Sequence, residues 1–354
     1  MVGLAMTLVI MMSACVYHAT SPGPVSAISG QCSQASAKQA SVDLQAVVDE
    51  FVQSIPAANT TGYADLRRDP NGVNALVDGF TKIAAGNLVA ACQALEPVNY
   101  RVTLTTDRTT GRDVVLLRER RTQGRFARAW GFYLIAWPPG AKPSTLIVEA
   151  PHTCPDTNVI AGCQGGDRFT HLVAVKVFQK ATARYLFING ADRRANGTFG
   201  PTQCKQDSHC ADMAHQPESP FEKIYEKVVS GLGSSAKVYQ SHRFLSAEHD
   251  PIDNVPGTSG PANVVVSAGI TSPSPLATDV ARGIEAEERS FFHVCLFKAS
   301  ETCSQLGATT NIQKDHLSGG RFVHVEASDQ VVREPCDAPC RRDELATAIA
   351  AAMK

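Results

Sequence analysis

The chain has no surplus of charge of either sign. Its 33 Lys and Arg balance 34 Asp and Glu, a formal net charge of −1 over 354 residues. No basic stripe stands out, which argues against a nucleic-acid partner. The leading apolar stretch, Val2 to Met12, is too short to span a bilayer. There is no internal repeat and no CxxC pair, so thiolate zinc sites of that spacing are excluded. There is also no GxSxG after a strand, so a serine hydrolase would lack its nucleophile elbow. With 44% hydrophobic and 19% charged residues the chain can bury a full core, as one large domain plus an appendage or as two domains.

The N-terminus reads MVGLAMTLVIMMSACVYHATSPGPVSA, and its apolar stretch fits the h-region of a secretory signal. The stretch closes on Met12-Ser13-Ala14-Cys15, which resembles a bacterial lipobox. Residues 1–15 are therefore expected to be a signal peptide with Cys15 the lipidated residue, which would anchor the chain to a membrane in the periplasm or cell envelope. Met12 stands where Leu is usual and no Lys or Arg precedes the run, so a plain signal cut after a later Ala is the alternative. Residues 16–40, rich in Ser, Ala, Gly and Pro, read as a flexible tether.

Cysteine arithmetic agrees with export. Eleven Cys less Cys15 leave ten, an even set that reads as a disulfide framework. Four close pairs stand out: Cys154/Cys163, Cys204/Cys210, Cys295/Cys303 and Cys336/Cys340. Cys32 and Cys92 are left over. If Cys154 is bonded, it is not free to bind a metal.

Residues 41–140 begin with two helical patterns, SVDLQAVVDEFVQSI and NGVNALVDGFTKIAAGNLVAACQAL. They continue as a β-meander of YRVTLTTD, DVVLLRER and RFARAWGFYLIAW. From 141 to 354 strands and helices alternate, which predicts an α/β layered domain around a central mixed, largely buried sheet. Ligands in such sheets bind beyond the carboxyl ends of the strands. Several strands end in chemistry: Pro151-His152, Asn189-Gly190 before Asp192-Arg193-Arg194, Ser241-His242, and His324-Val325-Glu326.

A hydrolytic zinc takes three protein ligands and keeps one position open for water. His152 and Asp156 can supply two ligands from the PHTCPD loop and His242 a third, for one zinc per chain. In RFVHVEAS the alternation puts His324 and Glu326 on one side of a strand. Glu326 is then the candidate general base, and His324 belongs to the substrate pocket. In NGADRRANG, Arg193 or Arg194 together with Asn196 can clamp an acidic group, since a guanidinium pairs bidentately with a carboxylate.

The order PHTCPD, NGADRRAN, VYQSHRF, FVHVEAS resembles the zinc carboxypeptidase-like amidohydrolases. That group includes N-formylglutamate amidohydrolases, succinylglutamate desuccinylases and poly-gamma-glutamate hydrolases. The similarity covers roughly residues 144 to 334. It implies a zinc-carboxypeptidase-like sheet and cleavage of an amide next to a carboxylate, in a peptide, acyl-amino acid or gamma-glutamyl substrate. It also places Asp212 and His215 of DMAHQPESPFEKIYE in the pocket wall. The family pattern separates its first His and acidic ligand by two residues, whereas three separate His152 from Asp156. The competing reading is an exported lipoprotein that holds an anionic ligand without chemistry.

Overall fold

Side chains alternate between the two faces of one sheet, and an apolar layer covers each face, so most strands are buried throughout. The computed structural model describes residues 32, 35–139, 144–155, 167–245, 261–299, 303–317, 320–333 and 341–354. Its strands are β1 (Tyr100–Thr106), β2 (Asp113–Glu119), β3 (Phe132–Ala136), β4 (Leu146–Ala150) and β5 (Tyr185–Ile188). They continue with β6 (Lys237–Phe244), β7 (Val264–Ser267), β8 (Val294–Leu296) and β9 (Phe322–Ser328). In space the order is β1-β2-β3-β5-β4-β6-β9-β7-β8. β5, β4, β6 and β9 are parallel neighbours, so their carboxyl ends share one edge. β1 to β3 are antiparallel and join at β5, and β7 runs antiparallel to β9. This is the mixed, buried α/β sheet that the alternation of elements predicts.

On β4, Leu146, Val148 and Ala150 enter one core with the helices Thr170–Lys180, Pro275–Glu287 and Arg342–Met353. Ile147 enters the other, with the helices Pro70–Ala84, Leu88–Leu95 and Pro220–Leu232. Two of these helices start at Ser-Pro. Ser219 and Ser274 cap them by accepting the N–H of Glu222 and Ala277, and Pro sits in the first turn where no N–H is needed. From β4 the chain crosses to β5 on one side, then returns to β6 on the other. The crevice between β4 and β6 is thus a topological switch point, open at the strands' carboxyl ends.

Three expectations differ from what is found. The boundary expected at residue 140 falls inside one continuous sheet, because β3 pairs with β5. β3 has no polar face to leave in water: Phe132 and Leu134 bury in one core, Tyr133 and Ile135 in the other. The long second helix is two helices, parted at Gly86 (φ 85°) and restarted by Asn87, whose side chain accepts from the Ala90 N–H. RFARAWGFYLIAW is strand only over its second half, since the amides before it are taken by a carboxylate. The N–H groups of Ala127 and Arg128 donate to Glu119 Oε1 at 2.8 and 2.9 Å, and that of Ala129 to Oε2 at 2.8 Å.

Disulfides join Cys204 to Cys210, Cys295 to Cys303, and the two left-over cysteines, Cys32 and Cys92. Cys154 is also disulfide-bonded. Cys15, Cys163, Cys336 and Cys340 lie outside the described residues, as do the expected leader and most of the tether. Bonds of this kind persist in oxidising compartments. No helix among the described residues is long and apolar enough to cross a membrane.

Candidate metal centre

Strand register brings the polar residues into rows. Glu149 on β4 lies opposite Gln240 on β6, which lies opposite His324 on β9; one step on, His242 lies opposite Glu326. All five share the face of Ile147, Val238 and Phe322, by the period of two. His152 follows β4 by two residues, and its carbonyl accepts the N–H of Asp167 at 2.9 Å, which brings Asp167 beside it. The next residue is pinned too: Thr153 Oγ1 is 2.8 Å from His171 Nδ1, and its carbonyl accepts Asn189 Nδ2 at 2.8 Å.

Asp167 Oδ2 lies 2.9 Å from His242 Nδ1 and 3.6 Å from His152 Nδ1. The far nitrogen of each ring is occupied. His152 Nε2 is 2.7 Å from Asp212 Oδ1, and His242 Nε2 is 3.3 Å from Gln240 Oε1. Both partners are acceptors, so each Nε2 can carry a hydrogen, and would do so with a metal at Nδ1; each Nδ1 turns toward Asp167, itself an acceptor. The three buried residues offer ligand atoms that all lie within 4.8 Å of one another. Tetrahedral zinc with bonds of about 2.0–2.2 Å separates its ligand atoms by about 3.3 Å, which 2.9 and 3.6 Å bracket. The donor set fits zinc.

Two neighbouring groups among the described residues share members with this one, His152–Asp212–His215 and His242–His324–Glu326. Asp212 Oδ1 is already engaged by His152 Nε2, by His215 Nδ1 at 3.0 Å and by the Ala214 N–H at 3.1 Å. It orients His152, as outer carboxylates orient metal-binding imidazoles. Glu326 Oε1 stands 3.4 Å from His324 Nε2, and the His324 ring lies 4.3 Å from that of His242. Glu326 is thus beside the three-ligand point without being needed to complete it.

Burial disfavours a charge on His152, but Asp212 and Asp167 outweigh it and push the imidazole up to about 9. Burial and the neighbouring His324 push His242 down to about 4, against the pull of Asp167. Asp167 resists burial through its hydrogen bonds to His152 and His242, which hold its carboxyl well below the usual range. At neutral pH His152 is thus cationic, His242 a neutral imidazole and Asp167 ionised, and a metal bound here would displace the Nδ1 proton of His152.

A cavity of about 310 Å³ opens over them, and Arg193, Arg194, His215, His324 and Glu326 also line it. Arg193 Nη1 is 3.5 Å from His152 Nδ1. Its loop leaves β5 through Gly190, where a Cβ would fall 2.2 Å from the Ala129 carbonyl oxygen. Burial works against the Arg193 charge, and Asp212, Asp167, Glu326 and Asp192 hold it in place.

The structure corrects one residue and adds another. Asn196 does not line the cavity: its carboxamide accepts the Tyr63 N–H at 3.3 Å and donates to the Tyr63 carbonyl at 2.8 Å, fixing the loop instead. Asp156 lies outside the described residues. The acidic group beside both imidazoles is Asp167, which sequence reasoning missed. An Asp shortly before a helical stretch reads as a cap, and no spacing ties it to His152. The link is the backbone bond to the His152 carbonyl.

No family model matches the chain, and no curated protein does. Among solved structures, a bacteriophage poly-gamma-glutamate hydrolase is similar at 14% identity, over 59% of this chain and 83% of its own, with a TM-score of 0.35. A gene product of Agrobacterium tumefaciens is similar at 14% identity, over 60% and 87%, with a TM-score of 0.36. A metallo-carboxypeptidase from Burkholderia cenocepacia is similar at 10% identity, over 83% and 69%, with a TM-score of 0.35. Likeness this remote leaves the site to be argued from its own residues.

Proposed function

We propose that the chain is an exported, zinc-dependent hydrolase that cleaves an amide bond beside a carboxylate, in a peptide, acyl-amino acid or gamma-glutamyl substrate. The reading is carried by one observation: two imidazole Nδ1 atoms and Asp167 Oδ2 converge at the switch point while both Nε2 atoms are engaged elsewhere. His152, Asp167 and His242 would hold one ion. When bound, that ion polarises a carbonyl and lowers the pKa of a water to about 7.

The remaining work belongs to the chain. Glu326 opens onto the same cavity, takes a proton from the attacking water and delivers it to the leaving nitrogen. Arg193 offers a planar fork to the substrate carboxylate, and Arg194 adds a second positive charge to the cavity wall. His215 and His324 border the substrate space. Disulfides at Cys32–Cys92, Cys204–Cys210 and Cys295–Cys303 suit an oxidising compartment and so support export, with Cys15 as the proposed lipid anchor.

Glu326→Gln tests the chemistry. It keeps size and hydrogen bonding but removes the base, so kcat should fall by roughly 10²–10⁴ while zinc content and folding stay as they are. Wild-type turnover in this variant would remove Glu326 from the mechanism. Should the native chain hold zinc and cleave none of these substrates, the arginine-lined pocket becomes a binding site for an anionic ligand.

A further inference from the structure

Behind His242 lies a buried set of amides whose orientations are all determined. Gln313 Nε2 donates to the Met213 carbonyl at 3.0 Å, and a backbone carbonyl can only accept. That turns Gln313 Oε1 toward Gln240, whose Nε2 donates to it at 3.2 Å and to Glu149 Oε2 at 2.7 Å. A second anchor works from the other side. Asn311 Oδ1 accepts the Gln313 backbone N–H at 3.0 Å, which leaves Asn311 Nδ2 to donate to Gln240 Oε1 at 2.7 Å. Both anchors require Gln240 to present its oxygen to His242 Nε2, 3.3 Å away. Every member is buried, and buried polar groups of this kind keep their hydrogen-bond partners.

We infer that Gln240, Asn311 and Gln313 form a positioning relay that commits His242 to carry its hydrogen on Nε2 and so to offer Nδ1 to the metal. The inference rests on the metal reading above. In it, two fixed backbone groups set the tautomer of a ligand through three side chains, only one of which touches the ring. Without the relay, Asp167, 2.9 Å from His242 Nδ1, would compete to hold the hydrogen there and block that nitrogen. His152 needs no such device, because Asp212 takes its Nε2 directly.

Asn311→Asp reverses polarity at constant shape. Its second oxygen would face Gln240 Oε1, so Gln240 would turn its NH2 toward His242. Gln313→Met removes the other anchor at a residue outside contact with His242. Zinc affinity of the full-length chain, measured by competition with a chromophoric chelator, should weaken about 10–100-fold in each variant, the range for outer partners of metal-binding imidazoles. In zinc-loaded, histidine-labelled wild type, ¹H–¹⁵N spectra should show a protected His242 Nε2–H. In Asn311→Asp that proton should exchange rapidly, while the His152 Nε2–H stays protected. A merely structural role would lower Tm and disturb both rings alike.

Unchanged zinc affinity and an unchanged His242 signal in Asn311→Asp would overturn the relay and leave the metal site standing. A wild type with no zinc bound to His152 and His242 would overturn the metal reading and the relay with it.

Discussion

Glu149 is fully buried on β4. Burial pushes its carboxyl up to about 8, against the hydrogen bond from Gln240 and with Glu222 adding to the push. In the unfolded chain the same group titrates near 4.5. The folded state therefore holds the proton more tightly. Its contribution to stability is full below about pH 4.5, declines as pH rises, and is gone above about pH 8. Glu149→Gln keeps an acceptor for Gln240 and cannot ionise. Thermal melts should superimpose on wild type near pH 4.5 and lie above it near pH 9, by on the order of 5 °C. A Tm difference that does not change across that window would show that Glu149 is ionised in the folded protein throughout.

Each element that carries chemistry ends at the same sheet edge, and the loops there are held by close backbone approach. At Gly190 a Cβ would lie 2.2 Å from Ala129 O and 2.3 Å from Gly131 N, both rigid backbone atoms. Gly190→Ala should cost roughly 1–3 kcal/mol, read as a lower Tm, and should displace the loop that carries Arg193. A variant as stable as wild type would mean that the two loops do not touch. Much of this level was legible in the sequence. Alternation in RFVHVEAS puts His324 and Glu326 on one face, and the strand register confirms that shared side. Strands ending in Pro151-His152 and Ser241-His242 point to the edge where both imidazoles meet. Other features lie in long-range contacts that no local pattern encodes. Asn196 pairs with Tyr63, 133 positions away, and Glu119 draws three amides out of a strand. Asp167 reaches His152 through one backbone hydrogen bond.

At the scale of the molecule, one sheet accounts for the position of the site. Parallel β5, β4, β6 and β9 align their carboxyl ends, and the reversal of direction at β4 opens a crevice between β4 and β6. The antiparallel strands β1 to β3 extend that sheet, so the first part of the chain shares both apolar layers with the part that holds the ligands. His152, Asp167 and His242 are proposed to hold one metal ion in that crevice. Elemental analysis of protein purified without added metal checks this, with Asp167→Ala and Asp156→Ala beside the wild type. Wild type and Asp156→Ala should each hold about one zinc per chain, and Asp167→Ala almost none. Full zinc occupancy in Asp167→Ala, or none in wild type, would rule out Asp167 as a ligand or the metal centre as a whole.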